Sequence, residues 1–163
     1  MIDLLQYENS LIKKGHQYIC GIDEAGRGPL AGPVMIGAAV MDLSCIIEGI
    51  NDSKQLSEKE RNNLYPRIKE CAIGYTTVAV SHEDIDRINI LNATKRGMIR
   101  AAELIFPSPD CFLIDAVKET FPAPSYSLIK GDCVSYSIAC ASILAKVERD
   151  ELMLEYAEMY PEY

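Results

Sequence analysis

Apolar runs along the chain alternate between a period of two residues and a helical period, so strand-like and helix-like stretches follow one another. Positions 17–23 and 32–41 read as two strands, joined by a glycine-rich connection short enough for an antiparallel pair. Ser57-x-x-Glu60 is a capping-box pattern that opens a helix over 57–70, and Pro66 inside it should kink or divide that helix. A third strand covers 72–80. Ser81-x-x-Asp84 offers the next cap, after which Ile88, Leu91, Met98, Ala102 and Ile105 keep one helical stripe until Pro107 stops it. Two further strands fall at 111–117 and 126–130. The last element, 137–159, carries Ile138, Ala141, Leu144, Ala145, Leu152 and Tyr156 on an inward face. No internal repeat, low-complexity tract or linker interrupts this order, which is that of a single mixed α/β domain over 1–163.

Composition narrows the picture. With 48% hydrophobic and 25% charged residues, a chain of 163 residues can bury one sizeable core. No run of about 18 apolar residues occurs, and the start has no basic region followed by an apolar stretch, so no membrane association is expected and a cytoplasmic location is. The six cysteines form no C-x-x-C pair, and Cys20 and Cys111 sit inside strand-like runs. Reduced structural thiols are therefore expected, not disulfides or zinc ligands. A net charge of −8 opposes broad binding of polyanions, so any nucleic-acid role must rest on local positive groups or bound metal cations.

Four carboxylates carry the candidate chemistry. Asp23 ends the first strand with Glu24 next to it, Asp115 lies in the C-terminal part of the fourth, and Asp132 lies just beyond the fifth. An acid at the end of an apolar run is costly to place beside a core without compensation. In an α/β sheet, ligands gather outside the strand ends, where these three segments could converge; as separate residues they could instead be solvated turn acids. Converged, they would repel one another without divalent metal. Hard oxygen ligands suit Mg2+ or Mn2+, and two such ions about 3.5–4 Å apart can activate water and stabilise a leaving oxygen in phosphodiester cleavage. The following loop, 26–33, offers backbone that can approach a ligand closely and one guanidinium, Arg27, to meet phosphate, or it is a plain turn. A dinucleotide fingerprint is a poor match, because the third glycine comes one residue late, Pro29 intrudes and a strand follows.

The segment Gly21-Ile22-Asp23-Glu24-Ala25-Gly26-Arg27-Gly28-Pro29-Leu30-Ala31-Gly32-Pro33-Val34 resembles the signature of type 2 ribonuclease H, the ribonuclease HII family. Asn51-Asp52-Ser53-Lys54-Gln55-Leu56-Ser57, Ile90-Leu91-Asn92-Ala93-Thr94, Leu113-Ile114-Asp115-Ala116 and Lys130-Gly131-Asp132 resemble it in the same order, as does the stretch from Ile138 to Asp150. The resemblance implies a ribonuclease H-like fold, with a central five-stranded mixed sheet flanked by helices, and an Asp-Glu-Asp-Asp metal site of Asp23, Glu24, Asp115 and Asp132. It implies an endoribonuclease that cuts the RNA strand of RNA/DNA hybrids and ribonucleotides embedded in duplex DNA, leaving 3′-hydroxyl and 5′-phosphate ends. Magnesium or manganese, two ions with substrate bound, would be the cofactor, and the protein would act as a monomer. The Gly26-Arg27-Gly28 loop would read the ribose 2′-hydroxyl at an RNA–DNA junction. Arg27, and the lack of room for a further domain before Ile22, favour this type over ribonuclease HIII.

Lesser residues divide between two readings. Lys54 matches a family lysine near the substrate and would contact phosphate, although a lysine before a capping box can simply be solvated. Ser142 and Lys146, one helical turn apart, either face nucleic acid or lie on a helix surface. Asn92 either bonds substrate or caps a helix. Asp150 is expected in a salt bridge or a supporting role. The family continues past residue 163 into a lysine-glycine-tyrosine motif and further helices, so the domain is expected to lack that segment. Two rivals remain: an ATPase of the actin and sugar-kinase type, which needs two such domains, and a noncatalytic or weakly active nucleic-acid-binding fragment of the same fold.

Overall fold

The computed structural model describes residues 3–26, 32–159 and 161. Their strands form one five-stranded sheet of order β3-β2-β1-β4-β5, with β1 over Ile19–Ala25, β2 over Val34–Met41, β3 over Ala72–Val80, β4 over Cys111–Asp115 and β5 over Ser125–Leu128. β1 pairs antiparallel with β2, and β2 with β3, whereas β4 runs parallel to both β1 and β5. The C-terminal ends of β1, β3, β4 and β5 therefore share one edge. The expected mixed five-stranded sheet is the one observed.

Both faces of the sheet are covered, and the period-two pattern of β2 shows how. Val34, Ile36, Ala38 and Val40 join the core on one face with Met98, Ala101 and Ala102 of α4 (Ile90–Leu104). Ala39 and Met41 point to the other face, where α6 (Tyr136–Met159) lies between the sheet and Leu64 and Ile68 of α2 (Glu58–Cys71). The first ten residues of α6 are all buried, because a helix with neighbours on both sides has no solvent face. The sheet meets it closely at two glycines. A Cβ on Gly21 would fall into the backbone of Ser137 and Ile138, and one on Gly37 into the carbonyl of Ala141.

Several boundaries differ from the sequence reading, each for a local reason. β1 starts and ends two residues later than expected. The N–H groups of Gln17 and Tyr18 donate to the Asp110 carboxylate and not to a ladder, while Glu24 and Ala25 still pair with Ile36 and Met35. The Ser57–Glu60 capping box is present, but Pro66 does not divide α2. Asn62, whose carbonyl loses its helical partner to Pro66, is exposed and can turn to water. The single helix expected after Ser81 is two, α3 (His82–Ile88) and α4, broken at Asn89 with φ 69°, which leaves Leu91 exposed. The cysteine expectation is also corrected. Cys45 and Cys71 form a disulfide, while Cys20, Cys111, Cys133 and Cys140 are free. Met41 pairs with Ala72, so the residues just beyond β2 and just before β3 are brought together although 26 positions apart.

An N-terminal helix without a clear sequence signature, α1 (Gln6–Lys13), docks through Glu8. This residue is fully buried, and its Oε2 accepts the Ser135 hydroxyl and the Ser137 N–H, each at 2.8 Å. A carboxylate there meets the N-terminal end of α6, where unpaired N–H groups and the helix dipole favour negative charge. Glu8→Ala should cost about 2–4 kcal/mol, since it leaves the Ser137 N–H buried without a partner and opens a cavity. Urea denaturation of the variant beside the parent measures it, and a loss below about 0.5 kcal/mol would contradict the assignment.

Candidate active site

Three chain segments deliver acids to the shared sheet edge. Asp23 sits within β1 opposite Gly37, and Asp115 is the last residue of β4. Beyond β5, Lys130 takes a left-handed conformation, φ 52° and ψ 47°, and turns the chain into the short helix α5 (Gly131–Val134) that presents Asp132. The Gly131 N–H donates to Asp115 Oδ1 at 2.9 Å, which ties the two acidic segments together. One carboxylate oxygen from each of Asp23, Asp115 and Asp132 lies within 4.8 Å of the others. Glu24 enters through Asp23. Its N–H donates to Asp23 Oδ1 at 2.8 Å and its side chain shares a hydrogen bond with the Asp23 carboxyl, but it is not in the mutually close set.

The electrostatics are those of charges held together against their repulsion. Burial pushes the Asp23 carboxyl well above the usual carboxylate range, and the charges of Glu24, Asp115 and Asp132 push it further. Asp132 is pushed up to about 7, first by burial and then by the hydrogen bond and charge of Asp52, with Asp115 adding and Lys54 opposing. Burial alone would lower the exposed Lys54, yet the charges of Asp132, Asp52, Asp23 and Asp115 outweigh it and raise the ammonium's pKa. Three clustered hard oxygens, two of them on carboxyls (Asp23 and Asp132) that the bare protein holds against ionisation, fit a divalent cation, which would remove the repulsion.

A pH dependence follows. Asp132 binds its proton more tightly folded than unfolded, so its contribution to stability is full below the ordinary carboxylate value of 3.8 and is lost as pH rises through about 7. Relative to Asp132→Asn, the metal-free protein should lose on the order of 2 kcal/mol between pH 4 and pH 8. Thermal melts in EDTA across that range measure the difference, and a flat or rising difference would contradict the shift.

The remaining site residues distribute unevenly. Asp52, given no role in the sequence reading, is buried and belongs to a second close group with Asp132 and Cys133. Burial raises its carboxyl, but hydrogen bonds from Asp132, the Lys54 N–H and Cys133, with the charge of Lys54, bring it below the ordinary value. Ser142 is not on the surface. It is buried, and its hydroxyl bonds that of Ser53 at 2.7 Å, anchoring the loop that carries Lys54. Lys146 Nζ donates to Asp150 Oδ1 at 2.9 Å, and Asp150 also faces Arg61 at 3.8 Å. Asn92 is exposed beside Lys95 and Arg96 in a shallow depression on α4; the cap of that helix is Asn89, whose side chain accepts the Asn92 N–H. Arg27 and Gly28 lie outside the described residues. Gly26 is described, with φ 94°, and a Cβ there would strike the Arg149 side chain, whose Nε donates to the Pro33 carbonyl at 3.0 Å. Arg149 of α6, which the sequence reading left without a role, thus braces both flanks of the glycine-rich loop.

The family model of ribonuclease HII matches residues 20–163. A protein named ribonuclease HII from Ruminiclostridium cellulolyticum is 50% identical over 161 residues, which is 98% of this chain and 63% of that protein. The chain thus spans under two thirds of that relative's length. The crystal structure of ribonuclease H2 from Pyrococcus horikoshii superposes with a TM-score of 0.79 at 26% identity, covering 88% of this chain and 77% of that one. The Bst-RNase HIII structure in complex with Mn2+ shares the fold, with a TM-score of 0.72 at 22% identity over 87% of this chain and 55% of its own. A buried acid cluster at one edge of a β3-β2-β1-β4-β5 sheet, in a sequence matched by this family over nearly all its length, has one placement: the chain belongs to the ribonuclease HII family.

Proposed function

We propose that the chain is a metal-dependent endoribonuclease that hydrolyses the RNA strand of RNA/DNA hybrids and cuts at ribonucleotides embedded in duplex DNA, leaving 3′-hydroxyl and 5′-phosphate ends. The observation that carries this reading is the approach of Asp23, Asp115 and Asp132 oxygens to within 4.8 Å of one another. Asp23, Glu24, Asp115 and Asp132 would hold Mg2+ or Mn2+, two ions when substrate is present; the Mn2+ bound by Bst-RNase HIII supports the choice. Bound divalent ions would supply a water nucleophile at neutral pH and stabilise charge on the leaving oxygen. Lys54, exposed beside the acids, would meet a phosphate that would otherwise face only negative charge. The Gly26-Arg27-Gly28 loop would approach the ribose, with Arg149 bracing its flanks. Asn92 and Lys146 would contact the duplex further out, while Ser142 would act through Ser53 and the Lys54 loop.

No described helix is long and apolar enough to cross a membrane. The proposal includes a single catalytic domain acting as a monomer in the cytoplasm. A duplex with one embedded ribonucleotide, incubated with Mg2+ or Mn2+, should be cut at that position, while an all-DNA duplex and ATP should remain intact. Equal cutting of all-DNA duplex, or ATP turnover without duplex cleavage, would overturn the proposal.

A further inference from the structure

The buried carboxylate of Asp52 has no part in the chemistry above, yet it stands where two independent segments reach the acid cluster. One is the loop of residues 51–57, which carries Lys54; the other is α5, which carries Asp132. Asp52 Oδ1 accepts the Lys54 N–H at 3.0 Å, and its Oδ2 accepts the Cys133 thiol at 3.5 Å. One oxygen of Asp52 lies within 4.8 Å of one of Asp132, and in the metal-free protein a proton on Asp132 can bridge the two carboxyl groups. Elsewhere the loop is tied away from α5: Ser53 bonds Ser142 of α6, and Arg61 Nη1 donates to the carbonyls of Ser53 at 3.0 Å and Leu56 at 2.7 Å. Asp52 thus links the Lys54 loop to α5 by a hydrogen bond, beside the charge attraction between Lys54 and Asp132.

We propose that Asp52 is a positioning residue: it orients the Asp132 carboxylate for metal binding and sets the Lys54 loop at a fixed distance from it. This rests on the metal-site reading above. Ligating oxygens must lie within about half an ångström of their working positions, and groups that hydrogen-bond a ligand typically change metal affinity by about 10- to 100-fold when altered. What matters in this role is the shape of Asp52 and its hydrogen bonds, more than its charge.

Two substitutions separate shape from charge. Asp52→Asn keeps the shape, an acceptor for the Lys54 N–H and a donor toward Asp132, and loses only the acceptor of the long Cys133 thiol bond, whereas Asp52→Glu keeps the charge and displaces it by one methylene. Mn2+ binding is measured by titration calorimetry on the metal-free parent, both variants, Asp132→Asn and the double variant Asp52→Glu/Asp132→Asn, with folding checked by circular dichroism. D52N should bind Mn2+ within about threefold of the parent, and D52E about 10-fold or more weakly. The double variant should match D132N, because Asp52 acts through Asp132. D52N as weak as D52E, D52E as tight as the parent, or additive losses in the double variant would each overturn the inference. If D52E does not fold, Asp52→Ala takes its place with the same expected loss. A parent protein that binds no Mn2+ would overturn the metal-site reading itself, a result distinct from parent binding that Asp52 does not influence.

Discussion

Asp23→Asn should abolish divalent-metal-dependent cleavage, by about a thousandfold or more, while making the metal-free protein more stable. The two effects have one cause. Asp23 is nearly inaccessible to solvent and surrounded by Glu24, Asp115 and Asp132, so its ionised form is held against both desolvation and repulsion. The amide removes that burden at neutral pH, a net gain in stability. It also removes an anionic oxygen from the three that lie together. Initial rates on a hybrid duplex with Mg2+ or Mn2+, beside thermal melts in EDTA, report both. Parent-like cleavage would sink the site assignment, and a destabilised metal-free protein would sink the electrostatic argument.

Gly21→Val should prevent folding at ordinary temperatures. The obstacle is the backbone of α6 at Ser137 and Ile138, which cannot step aside as a side chain can. Moving α6 outward would open the packing of Ala139, Ile143 and Leu144 against β2 and α2. Overpacking of a mobile core costs about 1–3 kcal/mol, but displacing a central helix should exceed the 5–15 kcal/mol that stabilises a typical domain. Soluble yield and far-ultraviolet circular dichroism give the answer, and a folded Gly21→Val protein melting within a few degrees of the parent would show that α6 is not held as tightly as described. By the same geometry, Gly37→Val under the Ala141 carbonyl should behave alike.

Legibility in the sequence followed the range of the interactions. Asp23, Asp115 and Asp132 stood out because each interrupts or follows an apolar run, and their convergence then needed only the rule that strand ends share an edge. The capping box at Ser57 was legible for a similar reason, being complete within four residues. Asp52 was not, because it lies in a polar loop where an aspartate is ordinary; its burial, and the Cys133 thiol of α5 at its carboxylate, arise only in the fold. Ser142 looked like a surface partner of Lys146, but α6 is covered on both sides at that depth, which no single-face helical pattern conveys. The break at Asn89 was hidden by a stripe that continues in register from Ile88 to Met98, and the Cys45–Cys71 pair by strand pairing that only the folded sheet creates.

The placement of α6 bears on how the protein is made. β1 and β2 can close as a hairpin once residue 41 has emerged, but the strand that flanks β1 on its other side, β4, and the helix that covers its apolar face come only after residue 110. Until then the nascent chain carries an apolar hairpin with one unpaired edge and an uncovered face, a form open to association with other chains. The site is equally late, because its acids span positions 23 to 132. Divalent ions cannot assist the early steps of folding; they can only reward the last one. Pauses in translation upstream of residue 136 should therefore lower the yield of native protein without help from any metal in the growth medium, whereas pauses after α6 has emerged should not.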